Sequence, residues 1–330
     1  MIAPRAAAPA RGMALLTVLL LVAVMAVLAI AMLDAVRFGQ RRSGNAQAMA
    51  RAQWAAVSAE AVAVAQIRRL RARDPARTTL AGGWHDRAFL FPFEGGGIRA
   101  VLSDGGNCFN LNSVVEGAPE QWRRRPLGVA QYLALLQAAG IDVGAARRLA
   151  DALVDWIDSD GERSPHGAED DAYARRRPAY ATSGTLLAEP SELRAIAGYD
   201  AGTYARLRPH LCALPVNALS PLNLNTLRAD DAILLQMLTN AALAPGEARR
   251  LIAARPASGW PSASDFWDQP VLRALPLPGD VLAQVGVRTR YFRLQQEVTV
   301  GDLQLQASAL FDADAAHGAR PLARRWSEEE

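Results

Sequence analysis

A run of 21 residues, Met13 to Leu33, carries no charge and one weakly polar residue, Thr17. As an α-helix it is about 31 Å long, close to the roughly 30 Å hydrocarbon core of a bilayer. Arg5 and Arg11 precede it and Asp34 ends it. That asymmetry predicts residues 1–12 in the cytoplasm and the rest of the chain across the membrane. No proline occurs from Ala10 to Arg73, and an apolar spine runs on through Ala46, Ala50, Trp54, Val57, Ala61, Val64, Ile67 and Leu70. One helix over 13–73 would be about 90 Å long, apolar all round at first and amphipathic afterwards. Gly39 and Gly44 are the expected places for a bend near the membrane surface.

The residues leave three readings of this start open. It is a secretory signal cleaved after Ala29-Ile30-Ala31, although the run is longer than the roughly 7–15 residues of a signal core. It is a plain uncleaved anchor. Or a short leader is clipped at Arg11-Gly12-Met13 and the apolar helix stays on the mature chain, with Gly12 and Met13 flanking the cut.

The chain of 330 residues has room for about two domains. A hydrophobic fraction of 51% supports a real core, and 21% charge of mixed sign excludes a wholly disordered chain. There is no lysine, so all 36 basic residues are arginine against 33 acids, for a net charge of +3. Interspersed signs give little support for nucleic-acid binding. Two cysteines, Cys108 and Cys212, exclude a disulfide-dense scaffold and a cysteine-rich zinc site. Either they form one bridge or both are buried thiols, and a compartment beyond the membrane permits the bridge.

After Trp84, Ala88–Phe91 and Ile98–Leu102 flank Gly95-Gly96-Gly97, which predicts a β-hairpin. Near the other end, Phe292–Gln295, Val298–Val300 and Leu303–Gln306 alternate apolar and polar residues around Gly301-Asp302. The middle, about 170 residues, has helical periodicity. The fold class is therefore α+β: a long amino-terminal helix on a small antiparallel sheet built from both ends, with a large all-α domain inserted between. Expected boundaries are 1–12 leader, 13–33 membrane helix, 34–113 helix and first strands, 114–285 inserted domain, 286–316 last strands and 317–330 a frayed charged tail. Asn110-Leu-Asn112 and Asn223-Leu-Asn225 each precede a helical stretch, suggesting two related subdomains, 114–215 and 216–285.

Eight acids, Asp151, Asp155, Asp158, Asp160, Glu162, Glu169, Asp170 and Asp171, lie within 21 residues. Hard oxygen donors on an irregular loop are the chemistry of calcium, and Asp158, Asp160, Glu162 and Glu169 stand at EF-hand-like spacing. Arg163 occupies the position where an EF-hand needs glycine, so a different backbone is expected. A solvated acidic loop balanced by Arg163 and Arg175–Arg177 is the competing reading. The candidate ligands are Asp158, Asp160, Glu162, Glu169, Asp170 and Asp171, with Asp155 orienting one of them. Paired-carboxylate hydrolysis is disfavoured, because the acids crowd one loop. The four histidines are scattered, and no nucleophile motif or phosphate loop is present.

Leader, Gly12, Met13-Ala-Leu-Leu-Thr17 and apolar helix together resemble the prepilin start of type IV pilins and type II secretion pseudopilins. Asp104–Asn112, Leu153–Gly161 followed by Gly167–Tyr173, Pro178-Ala-Tyr180, Glu192-Leu193 and Leu222–Thr226 resemble the K-type minor pseudopilins (general secretion pathway protein K). Ser183 and Ala179 depart from that pattern, where asparagine and proline are usual. Pilins usually carry glutamate at the fifth mature position, and the K type lacks it, as does Thr17 here. The resemblance implies a large α-domain, with sterile-alpha-motif-like helices, interrupting the pilin sheet. It also implies structural calcium in that domain and processing by prepilin peptidase. It implies a single-pass place in the inner membrane with the bulk in the periplasm. The implied role is non-enzymatic, at the pseudopilus tip with minor pseudopilins of the I and J types (and H). Leu222–Trp267 also resembles a helix-hairpin-helix DNA-binding domain, with Arg249, Arg250 and Arg255 as its basic residues. Its hairpin, Leu243–Glu247, lacks the paired glycines, and Glu247 opposes phosphate; no nucleic acid is expected.

Overall fold

The computed structural model describes residues 11–315 and 318–327. The expected leader up to Ala10 and the last three residues lie outside the described residues, as does His317.

Helix α1 (Arg11–Arg73) is a single helix of 63 residues that continues through Gly39 and Gly44 without a break. It stops before Asp74-Pro75, where proline forbids a helical predecessor. The hairpin β1 (Ala88–Phe93) and β2 (Gly96–Asp104) forms as the glycine turn predicts. Strands β3 (Tyr291–Val300) and β4 (Leu303–Asp312) form the second hairpin. β2 pairs antiparallel with β3, with Ile98 opposite Val298 and Asp104 opposite Phe292, so the two ends of the sequence make one sheet.

The expected frayed tail is instead ordered into a strand over most of its length. Arg320–Ser327 is a fifth strand, β5, antiparallel to β4 with a bulge between Leu310 and Phe311, and the order is β1-β2-β3-β4-β5. It is an edge strand, and edges tolerate the charges that disguised it in the sequence. The Arg324 guanidinium forks onto both oxygens of the buried Glu60 carboxylate at 2.6 Å, tying β5 to α1.

The apolar spine on α1 runs as expected through Val64, Ile67 and Leu70 but is displaced before them, where Trp54 and Ala61 are exposed. The face against the sheet is Ala52, Ala56, Ala59, Ala63 and Ile67, which pack on Ile98, Ala100, Leu102, Leu294, Val298, Leu305 and Phe311. Small residues let the helix axis approach the sheet closely. The larger Trp54 and Val62 are left 74% and 49% exposed.

The inserted domain leaves the sheet after Asp104 and returns at Tyr291, whose carbonyl accepts from the Gly105 amide at 2.7 Å. Beside this neck, Arg71 of α1 donates to the Ala313 carbonyl and the Asp314 carboxylate. The domain thus sits at the end of the sheet nearest the carboxyl end of α1, remote from the apolar run. It holds α2 (Pro126–Ala138), α3 (Val143–Ile157), α4 (Asp170–Tyr173), α5 (Ala201–Leu207), α6 (Ala232–Leu238) and α7 (Pro245–Ala253), followed by short helices at 263–283. One continuous core spans both halves.

The two halves are built alike. Phe109–Asn110 pairs in parallel with Leu211–Cys212, and Leu222–Asn223 with Val285–Gly286. The Asn110 and Asn223 side chains each accept from the amide two residues on, at 3.3 and 3.0 Å. Asn112 then bonds Leu187 and Leu214, and Asn225 bonds Trp260. Each Asn-Leu-Asn stands at the opening of its unit, beside the short parallel strand pair that closes it.

Candidate functional site: anchor helix, neck and acidic loop

From Met13 to Leu33 α1 is apolar on nearly every side. Its most apolar window has a mean hydropathy of 3.0, and none of that window is covered by the rest of the chain. Uncovered apolar surface on this scale requires lipid or other helices around it. Met13 lies inside the first turn of α1, and Thr17 satisfies its hydroxyl within the helix, donating to the Ala14 carbonyl at 2.9 Å. Thr17 therefore leaves no polar group that needs a partner in lipid. Farther along, Trp54, Val62, Leu90 and Phe91 extend the exposed apolar surface of α1 and β1.

The neck is polar and closed. The half-buried Asp104 carboxylate accepts from Thr226 Oγ1 at 2.7 Å, from Thr289 Oγ1 and from the Gly106 amide at 2.8 Å. Burial raises its pKa, and those donors oppose the rise. Asn107 bonds Asn223 and Thr226, while Asn223 reaches Thr78 and Thr289. Beside this network Cys108 and Cys212 are joined in a disulfide, with Cα atoms 5.7 Å apart. The bridge fastens the first unit closed where its chain enters and leaves.

The acidic loop grows from the end of α3. Asp142 caps that helix, accepting from the Ala145 amide at 3.0 Å, and Asp158 is its carboxyl-terminal cap. Trp156, Tyr173 and Tyr180 stack edge-on around the loop base, and Ser183 and Gly184 bond back to the Trp156 carbonyl. Asp155 accepts from the Ser164 amide at 3.1 Å and abuts Gly167, where a Cβ would overlap its carboxylate. Asp151 pairs with Arg124 at 2.7 Å and meets His166 at 3.2 Å.

The six expected ligands separate into three kinds. Asp158 and Glu169 are buried, and Asp158 Oδ1 and Glu169 Oε1 have no hydrogen-bond partner. Burial, with repulsion from Asp160, Asp155 and Glu169, pushes the Asp158 carboxyl up to about 8. Burial and Asp155 push Glu169 up to about 7. Asp160 and Glu162 are exposed, and Asp160 accepts from the Glu162 amide at 2.9 Å. Asp170 and Asp171 are engaged elsewhere. Asp170 accepts from the Thr182 amide and hydroxyl, both at 2.8 Å, which lowers its pKa. Asp171 is held low by Arg163 at 2.6 Å, with Arg175 at 3.0 Å adding to it. Asp155, expected only to orient a ligand, is near enough for its charge to raise both Asp158 and Glu169.

Two orphaned, desolvated carboxylate oxygens among like charges suit a hard divalent cation. Among the described residues, no three such side chains stand close enough together to form a finished metal cage. The spacing in sequence could not show that Arg163 and Arg175 would claim Asp171.

Within the stretch that resembles a helix-hairpin-helix, one of the three arginines is committed to the fold. Arg255 turns inward and donates to the Leu224 and Leu227 carbonyls at 3.2 and 2.6 Å. Glu247 lies over the start of α7, 3.4 Å from the Ala244 amide, where a phosphate would have to sit.

Models of the family described as "Type II secretion system (T2SS), protein K" match residues 107–216 and 222–288. These bounds coincide with the two units. The chain is 38% identical over 263 residues to type II secretion system protein K of Klebsiella pneumoniae, covering 80% of each chain. It is 33% identical over 304 residues to the protein of that name from Pectobacterium carotovorum subsp. carotovorum, covering 91% of this chain and 92% of the relative. Among solved structures it matches a chain of the GspK-GspI-GspJ complex from the type 2 secretion system of enterotoxigenic Escherichia coli. The TM-score is 0.75 at 28% identity, covering 87% of this chain and 100% of that one.

Proposed function

The chain belongs to the type II secretion system protein K family, and we propose that this minor pseudopilin occupies the tip of the periplasmic pseudopilus with partners of the I and J types. One observation carries the reading. A single helix runs from a membrane-length apolar segment into an alanine seam under the sheet, and the bulky domain stands at the opposite end. The exposed strip around Trp54 and Val62 offers neighbouring helices a packing face. The inserted domain obstructs addition of a further subunit beyond it. Thr17 suits a terminal subunit, because no carboxylate is left in lipid to seek the amino group of a subunit ahead. The chain then acts by assembly rather than catalysis, anchored once in the inner membrane with its folded part in the periplasm.

Calcium is proposed as a structural ion of the acidic loop. Asp158 and Glu169, with Asp155 and Asp160 nearest, would hold it and relieve their mutual repulsion. The alternative, a membrane-anchored helix-hairpin-helix protein of DNA binding and uptake, has no support from the inward Arg255 or the covered helix start.

Intact mass and amino-terminal sequence of the protein taken from its native membrane test the pilin-like start. Prepilin processing predicts a chain beginning at Met13 with one added methyl. A start at Met1 or near Met32 would overturn it.

A further inference from the structure

The sheet face turned away from α1 carries a basic cavity. On it stand Arg293 and Gln295 of β3, Ser308 and Leu310 of β4, and Ala323 and Arg325 of β5. The register sets Arg293 beside Leu310 and Ala323, and Gln295 beside Ser308 and Arg325. Arg208 and the Cys212–Leu214 segment of the inserted domain close over this face, leaving a cavity of about 90 Å³. A cavity of about 150 Å³ holds benzene, so this smaller space suits a group of a few heavy atoms rather than a ring system.

Three guanidiniums share this small space with one carboxylate partner. Glu189 pairs with Arg325 at 3.3 Å. Neither Arg208 nor Arg293 has an acceptor for its guanidinium among the described residues. Burial, with the Arg208 and Arg325 charges, pulls Arg293 down to about 10, and Asp104 attracts it only weakly. Asp104 itself is occupied by Thr226 and Thr289. Like charges held together without neutralisation are costly, and planar guanidiniums match the oxygens of a tetrahedral anion.

We infer that this cavity binds a tetrahedral oxyanion of the phosphate class, held by Arg208, Arg293 and Arg325 with the Ser308 hydroxyl beside them. The anion would neutralise the cluster and clamp the inserted domain onto β3, β4 and β5. This inference does not rest on the secretory reading.

The test uses full-length protein in detergent, at fixed free calcium and fixed ionic strength set with chloride. Inorganic phosphate and glycerol 3-phosphate are titrated at low millimolar concentration while Tm is read. The expected result is a saturable rise of about 2–5 °C at ten times Kd. R293Q and R208Q each lose that rise, and R293Q has an equal or higher Tm without the anion because a repulsion is gone. R147Q, on the exposed face of α3, keeps the rise. A gain with glycerol 3-phosphate at least equal to that with phosphate means that the site admits a phosphoryl group carried on a larger molecule, and a gain with phosphate alone means the free ion; either supports the site. No saturable rise, or a rise that persists in folded R293Q and R208Q, overturns it.

Discussion

Reducing the Cys108–Cys212 bridge is expected to weaken the inserted domain far more than any single surface contact would. The bridge spans 104 residues of sequence. Closing a loop of that length removes about 16 cal/mol/K from the unfolded chain, or about 4.7 kcal/mol at 25 °C. Residual structure in the unfolded chain reduces that figure, and about 2–5 kcal/mol is the range seen for native bridges. Both sulfurs are buried, so C108A/C212A is the suitable variant, leaving no hydroxyl without a partner. Trp122, Trp156 and Trp260 report on the domain core. With a urea m-value of about 2–3 kcal/mol/M, the midpoint of their fluorescence transition should fall by roughly 1–2 M. The m-value should rise, because the unlinked chain unfolds more completely. Equal midpoints for oxidised protein, reduced protein and the double variant, or two free thiols titrated in the native protein, would refute the reasoning.

In chelator, stability should fall as pH rises from about 5 to 8. Asp158 and Glu169 are raised from 3.8 and 4.5 to about 8 and about 7, so the folded state binds the extra protons, and that stabilisation is lost as pH climbs through the folded values. Calcium should reverse the trend, and D158N should flatten the apo profile and abolish the calcium gain; scanning calorimetry with and without calcium checks both. A56L, on the fully buried seam of α1, should destabilise by about 1–3 kcal/mol through overpacking, read as a lower Tm. W54E should leave stability within about 0.5 kcal/mol, since the side chain is 74% exposed. The same change should cut co-purification with the partner pseudopilins at least tenfold; undiminished recovery would remove Trp54 from the packing face.

The long helix and both hairpins were readable from the sequence because their signals are local: no proline for 60-odd residues, alternating apolar positions, and glycine at the turns. The internal repeat was readable from two Asn-Leu-Asn segments, because each asparagine performs the same backbone capping in its own unit. What escaped depends on partners distant in sequence. The seam of α1 is made of alanines, which carry little hydrophobic weight but allow close approach, so attention falls on the larger Trp54 and Val57 instead. β5 looks like a charged tail until Glu60, 264 residues away, is seen to accept its Arg324. In the acidic loop the sequence located the region and two of its buried carboxylates. It could not distinguish Asp158, buried with an unpartnered oxygen, from Asp171, held by two arginines. Asp104 and Arg293 give no sequence signal, because only the folded neck and sheet bury them.

Native mass spectrometry of the detergent-extracted complex, formed by co-expression with the I-type and J-type minor pseudopilins, tests the central claim most directly. A tip subunit whose inserted domain blocks further addition predicts one copy of this chain with one of each partner, and no species holding two copies. Recovery of this chain alone, or in repeating assemblies with itself, would contradict the account.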